Sequence, residues 1–245
     1  LVTKMLLHHP NVNVNARSRG YLTPLHLAAE RGDVEMVDML LHFQRDLVDL
    51  NAADGNGATP LHDACRNGHM TVVNRFLAHP SVDVNIMTTR YYGERCYYKS
   101  CGSGTPLHVA CEYGHAGVVQ LLLRHPDIDP SLPTPWGGAT PLHVAAAVGL
   151  LRAVELLLTF DTVEINALQD DGCTAWDLAF KHGHRQVLDL LTPVNAHMPP
   201  DPDQIISRSA LELQDLALQR FCRGPDTLST IAGFPCVIRF QSSGQ

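Results

Sequence analysis

The chain has 245 residues, 45% hydrophobic and 18% charged, which gives it the apolar content of a substantial core and excludes the composition of a disordered chain. A net charge of −7 with pI near 6.0 argues against general nucleic-acid binding, and no apolar run reaches the ~18 residues of a membrane helix, so no membrane insertion is expected. Seven cysteines, an odd number without a C-x-x-C pair, point to free thiols in a reducing compartment, cytoplasmic or nuclear.

Residues 1–15 read as half of a repeat, with a second-helix pattern over Val2 to Leu7 and a closing Val12-Asn13-Val14-Asn15. Because the chain opens on Leu1 with that half unit and without a signal peptide, a fragment of a longer protein is expected. A seven-residue phrase then begins at Thr23-Pro24-Leu25-His26-Leu27-Ala28-Ala29. It returns at Thr59 to Cys65, Thr105 to Cys111 and Thr140 to Ala146, with a worn copy at Thr174-Ala175-Trp176-Asp177-Leu178-Ala179-Phe180. The leading threonines Thr23, Thr59, Thr105, Thr140 and Thr174 fall 36, 46, 35 and 34 residues apart.

Each phrase reads as the start of a short helix. Thr is a good N-cap, and Pro suits the first helical position, where its missing N–H has no intrahelical partner. Ala28, Ala64, Ala110 and Ala145 are small enough to let neighbouring helices approach. Gly32, Gly68, Gly114, Gly149 and Gly183 follow as stop signals, and a second apolar helix comes next, as in Val72-Val73-Asn74-Arg75-Phe76-Leu77. The units run from Ala16 to Asn51, Ala52 to Asn85, Ile86 to Ser131, Leu132 to Asn166 and Ala167 to Asn195. Each unit has one apolar face and must stack on its neighbours to bury it.

The second full unit opens with Asp54-Gly55-Asn56-Gly57, whose Asp-Gly and Asn-Gly pairs suit a tight hairpin. The unit after it is about twelve residues too long, the excess lying over residues 87–103. Four of the six tyrosines fall there, Tyr91, Tyr92, Tyr97 and Tyr98, with Arg90, Arg95 and Lys99 against Glu94. The last unit replaces Pro with Ala175 and His with Asp177, as a polar terminal cap would. Residues 198–204 are proline-rich and read as a linker; residues 205–245 hold one amphipathic helix, from Ser209 to Phe221, and an unassigned tail.

A T-P-L-H-x-A phrase with a period near about 33 residues resembles the ankyrin repeat. The resemblance covers residues 1–197 and implies an all-α repeat fold, an ankyrin solenoid of stacked helix-turn-helix units with β-hairpin fingers. It also implies roles for the histidines. His26, His62, His108 and His143 would bond backbone and hold neighbouring fingers, and His69, His115 and His184 occupy a second recurring structural place. Periodic separation is the opposite of the convergence a metal site or acid–base pair requires, so no enzyme activity and no cofactor are expected. Cys96 and Cys101 lack a second ligand pair and read as free thiols.

A non-enzymatic protein-binding scaffold is the function the resemblance implies, with a protein partner met by a monomeric stack. The groove positions are Arg19, Leu22, Glu30 and Arg31, then Gly55, Asn56, Arg66 and Asn67, then Glu112 and Tyr113. They continue through Trp136, Ala147 and Val148 to Asp170, Asp171, Lys181 and His182. Tyr113 and Trp136 are the aromatic anchors, and Tyr91, Tyr92, Arg95, Tyr97 and Tyr98 add an extended, partner-specific finger. Asn85 and Asn166, each preceded by an acid-aliphatic pair and a Leu eight residues upstream, resemble substrates of the asparaginyl hydroxylase that modifies ankyrin repeats. A second functional class is a ubiquitin-ligase adaptor, because Leu218 to Cys222 and Phe234-Pro235 loosely resemble a suppressor-of-cytokine-signalling box. Gly224-Pro225 interrupts the helix that box requires.

Overall fold

A computed structural model describes residues 12–43, 47–88, 104–135 and 137–192. The chain divides into two units, 1–196 and 197–245, and every described residue lies in the first. The half unit expected over Val2 to Leu7, the linker at 198–204 and the segment 205–245 lie outside the described residues.

The described residues form ten helices in five antiparallel pairs. The first helices are α1 (Pro24–Arg31), α3 (Pro60–Arg66), α5 (Pro106–Glu112), α7 (Pro141–Val148) and α9 (Ala175–Lys181). The second helices are α2 (Val34–Phe43), α4 (Met70–Leu77), α6 (Ala116–Leu122), α8 (Leu151–Leu157) and α10 (Arg185–Leu191). First helices pack on first helices and second on second, so the two layers run the length of the stack. That is the one-dimensional architecture expected of units that cannot bury their faces alone.

Local sequence sets each boundary. Thr23, Thr59, Thr105, Thr140 and Thr174 hold extended backbone as N-caps, and Pro follows the first four. Four of the capping boxes use His as the returning side chain, where Glu or Gln is usual. Each first helix reverses at a left-handed glycine, as at Gly32 with φ 69° and Gly114 with φ 76°. Asp33 caps α2 by accepting the Met36 N–H at 3.0 Å.

The core is a continuous seam. Leu25, Leu61, Leu107 and Leu142 of the first helices meet Val37, Val73, Val119 and Val154 of the second, and all are buried. Burial of each such side chain stabilises the fold by about 1.5–3 kcal/mol. Ala28, Ala64, Ala110, Ala145 and Ala179 are buried at the close approaches between first helices. Gly117 performs the same service for the second layer: an added Cβ would lie 2.8 Å from Met70 Sδ.

The fingers are hairpin turns without a ladder, and no strand occurs among the described residues. In the clearest, Asp54 N–H donates to Ala58 O at 2.8 Å while Asp54 Oδ1 accepts from the N–H of Asn56 and of Ala58, both at 2.8 Å. Gly57 N–H also donates to Asp54 O at 3.1 Å, and both bonds lie within the turn itself, so no ladder continues beyond it. Successive fingers touch through single backbone bonds, Gly55 N–H to Gly20 O at 3.1 Å and Asp170 N–H to Gly137 O at 3.0 Å. The long spacing does not disturb its base. Thr88 N–H donates to Gly104 O at 3.0 Å, and Gly104 N–H to Thr88 Oγ1 at 2.9 Å. Thr134 and Ala139 close the next finger in the same way.

Candidate partner-binding surface

Three sets of side chains staple the stack and fix what remains available for binding. The first is the buried histidine of each phrase. Thr105 N–H donates to His108 Nδ1 at 3.1 Å, which fixes the ring proton on Nε2, and Nε2–H donates to Ala139 O of the next unit at 3.0 Å. His26 reaches Ala58 O, His62 reaches Gly104 O and His143 reaches Ala167 O in the same manner. Burial lowers the pKa of all four, with His62 and His108 brought down to about 4. A second proton would also set two N–H groups against each other at Nδ1. In the terminal unit Asp177 Oδ2 accepts from Thr174 N–H at 2.8 Å and Thr174 Oγ1–H at 2.7 Å. The capping box survives there, but a carboxylate has no Nε2–H to donate to a further unit.

The second set follows the helix-ending glycine. His69 Nε2–H donates back to Glu30 O, His115 to Arg66 O and His184 to Ala147 O, at 2.9–3.0 Å. Their rings lie against Gly32, Gly68 and Gly149, where an added Cβ would collide with them. In the unit from Leu132 to Asn166, Leu150 stands at this position, and Gly114 faces open space. The third set closes the units that end at Asn15, Asn51 and Asn85. Asn15, Asn51 and Asn85 each donate from Nδ2 to a carbonyl of the following unit and accept its N–H on Oδ1, at 2.6–3.1 Å.

These bonds commit both sets of histidines to the scaffold, and burial keeps His26, His62, His108 and His143 neutral. The thiols of Cys65 and Cys111 are fully buried, and desolvation pushes that of Cys111 up to about 12. Such thiols are packing groups. Among the described residues, no three His, Cys, Asp or Glu side chains converge as metal ligands. No helix among them is long and apolar enough to cross a membrane.

Of the expected groove residues, Arg19 and Arg31 are exposed, and Tyr113, capping α5, is 46% exposed. Asn56 is half-buried, its amide turned towards Asp54 Oδ2 at 3.5 Å. Arg66 pairs with Asp63 at 3.0 Å, so its guanidinium is committed to the scaffold. Asp63 stands in the phrase where other units carry Leu27, Val109 or Val144; burial pushes its carboxyl up to about 7, against the pull of Arg66. Ala147, expected on the groove, is buried at 2% exposure, because its helix face turns into the stack. Trp136, Tyr91, Tyr92, Arg95, Tyr97 and Tyr98, with Cys96 and Cys101, lie outside the described residues.

Sequence reasoning missed Tyr21. It is 56% exposed and the sole described non-glycine residue at positive φ, 63°. Its counterparts in two other fingers are Gly57 and Gly172, at φ 84° and 79°. An L-residue held there costs about 1–2 kcal/mol, and the ring, with Cδ2 beside Gly55, stays more than half exposed. Aligning the fingers on Ser18, Asp54 and Gln169, the residues whose N–H or C=O closes each turn, reveals it.

A family model described as ankyrin repeats (3 copies) matches residues 1–88 and 107–200, so the chain belongs to the ankyrin-repeat family. The unmatched interval, 89–106, falls at the long spacing between Thr59 and Thr105. A search of curated proteins returns no match. Ankyrin repeats are generally protein–protein interaction modules.

Proposed function

We propose that this chain is a non-enzymatic scaffold that binds a protein partner on the surface carrying the finger tips and the ends of the first helices. The observation that carries this is Tyr21. A large aromatic ring is kept exposed in a conformation that glycine serves in two neighbouring fingers. Backbone outliers of this kind cluster at ligand-contacting sites. Tyr113 supplies a second exposed ring, and Arg19 and Arg31 add positive charge beside an otherwise acidic chain. Aromatic and arginine side chains carry most of the energy in protein interfaces.

We infer that the Tyr- and Arg-containing insertion at 87–103 also serves the partner, with Tyr91, Tyr92, Arg95, Tyr97 and Tyr98 as contacts for an acidic or phosphorylated segment. The ubiquitin-ligase adaptor role is the other class, and no structural observation favours it. The test is quantitative affinity capture with the wild type, Tyr21→Gly and Tyr113→Ala, all checked for folding. Glycine at residue 21 keeps the turn and removes only the ring. Partners recovered by the wild type should be lost or reduced at least tenfold, about 1.4 kcal/mol, with Tyr21→Gly. Equal recovery by both variants would refute this surface.

A further inference from the structure

The asparagine staples obey a strict register. Asn15 joins Leu47 O and Asp49 N–H, Asn51 joins Ser81 O and Asp83 N–H, and Asn85 joins Asp127 O and Asp129 N–H. Each asparagine thus fills a donor–acceptor pair two residues apart in the following unit. The same register puts the next staple at residue 131, facing Thr162 O and Glu164 N–H. Residue 131 is serine. Its backbone is set as the asparagines are: Ser131 N–H donates to Asp129 Oδ1 at 2.9 Å, as Asn85 N–H does to Asp83 Oδ1 at 2.9 Å. Its hydroxyl, too short to cross, turns back to Asp129 Oδ1 at 2.6 Å. Among the described residues nothing bonds Thr162 O or Glu164 N–H.

A cleft of about 580 Å³ stands at this place, lined by Ser131, Pro133, Thr162, Val163 and Glu164 among others. We propose that this cleft is a binding socket for the side-chain carboxamide of an asparagine or glutamine in a partner polypeptide, which supplies in trans the group that Asn15, Asn51 and Asn85 supply in cis. The chemistry is selective. A primary carboxamide carries N–H and C=O on one carbon and presents both to the same side. A trans peptide group points them in opposite directions, and a carboxylate has no donor for Thr162 O. The volume admits the flanking backbone of a peptide as well as the amide. The socket is independent of the Tyr21 surface, and its test uses a small amide, so either site can fail alone.

The experiment is amide-detected NMR on the whole chain with N-acetyl-asparagine N-methylamide as the probe. The alanine and aspartate analogues serve as controls. The Glu164 N–H resonance should shift saturably with the asparagine compound and not with either control. In Ser131→Asn the in-cis staple should form. Glu164 N–H should then exchange with solvent at least tenfold more slowly, like Asp83 and Asp129 N–H, and should cease to respond to the probe. A Glu164 response no greater than that of the alanine control overturns the proposal. So does an undiminished response in Ser131→Asn once slowed exchange shows its staple formed. A Ser131→Asn chain whose Glu164 exchange is unchanged also overturns it, because the register argument then fails.

Discussion

Lowering the pH from 7.5 to 5.0 sets two groups of buried side chains against each other, and the Asp63→Asn variant separates them. His62 and His108 fall from 6.5 to about 4 on folding, chiefly by desolvation. Between those values the unfolded chain takes up protons that the folded chain refuses, so stability is intact above pH ~6.5 and drains away as pH falls towards ~4. At about 1.36 kcal/mol per tenfold, each histidine removes about 2 kcal/mol by pH 5, or about 4 kcal/mol for the pair. His26 and His143 act in the same direction. Asp63, raised from 3.8 to about 7 by burial, works oppositely. Its folded carboxyl takes a proton that the unfolded one releases, so stability rises as pH falls through 7, by about 2–3 kcal/mol at pH 5. Urea unfolding should therefore show Asp63→Asn losing at least about 4 kcal/mol between pH 7.5 and 5.0, and the wild type losing about 2–3 kcal/mol less than that variant. The amide that replaces Asp63 is neutral at both pH values, so its own contribution drops out of the slope. An Asp63→Asn chain equally stable at both pH values would refute the assignment of neutral, Nε2-protonated staples.

Tyr21→Gly should raise the stability by about 1 kcal/mol in the same urea assay, since it relieves a left-handed L-residue. Gly32→Ala and Gly114→Ala meet similar backbone strain, at φ 69° and 76°, but an added Cβ at Gly32 lies 2.6 Å from His69 Nδ1 while the one at Gly114 meets nothing within 4 Å. Gly32→Ala should cost at least about 1 kcal/mol more, the worth of the displaced His69 bond to Glu30 O. Deleting Thr89 to Ser100 should leave the stack folded by circular dichroism, because Thr88 and Gly104 already close the finger base, while partner affinity falls at least tenfold, about 1.4 kcal/mol. After co-expression with the asparaginyl hydroxylase, mass spectrometry should find Asn166, which is exposed, modified well ahead of Asn85, whose amide is engaged at both ends.

The helices, their caps and the structural role of the histidines were legible in the sequence because each is local or strictly periodic. Thr105 and Pro106 announce α5 by themselves, and a histidine repeated in every phrase has to serve the repeat. Ala147 was misplaced because a groove position was carried over by alignment alone, and the last turn of α7 buries it against the stack. Tyr21 was hidden for a different reason. A tyrosine beside a glycine looks ordinary until the turn-closing bonds show that it occupies the glycine place of other fingers. The role of Ser131 was out of reach for sequence, since a serine in place of asparagine means nothing before the asparagines' partners in the next unit are known. Asp63 is similar: one acidic residue on a helix reads as surface until its neighbours are seen to cover it.

The units from Ile86 to Ser131 and from Leu132 to Asn166 are joined differently from the rest. Leu150 removes the histidine staple on the helix side, Ser131 removes the asparagine staple on the loop side, and the bond from His108 to Ala139 O is kept. A stacked array under load behaves as springs in series, and the softest joint takes most of the extension. Tension or torque applied along this molecule would therefore concentrate between Gly114 and Leu150, and the units on either side would move as two stiff halves. Here the joint lies just beyond the unit that carries the long tyrosine-containing spacing, so strain imposed by a bound partner would be felt first at that seam.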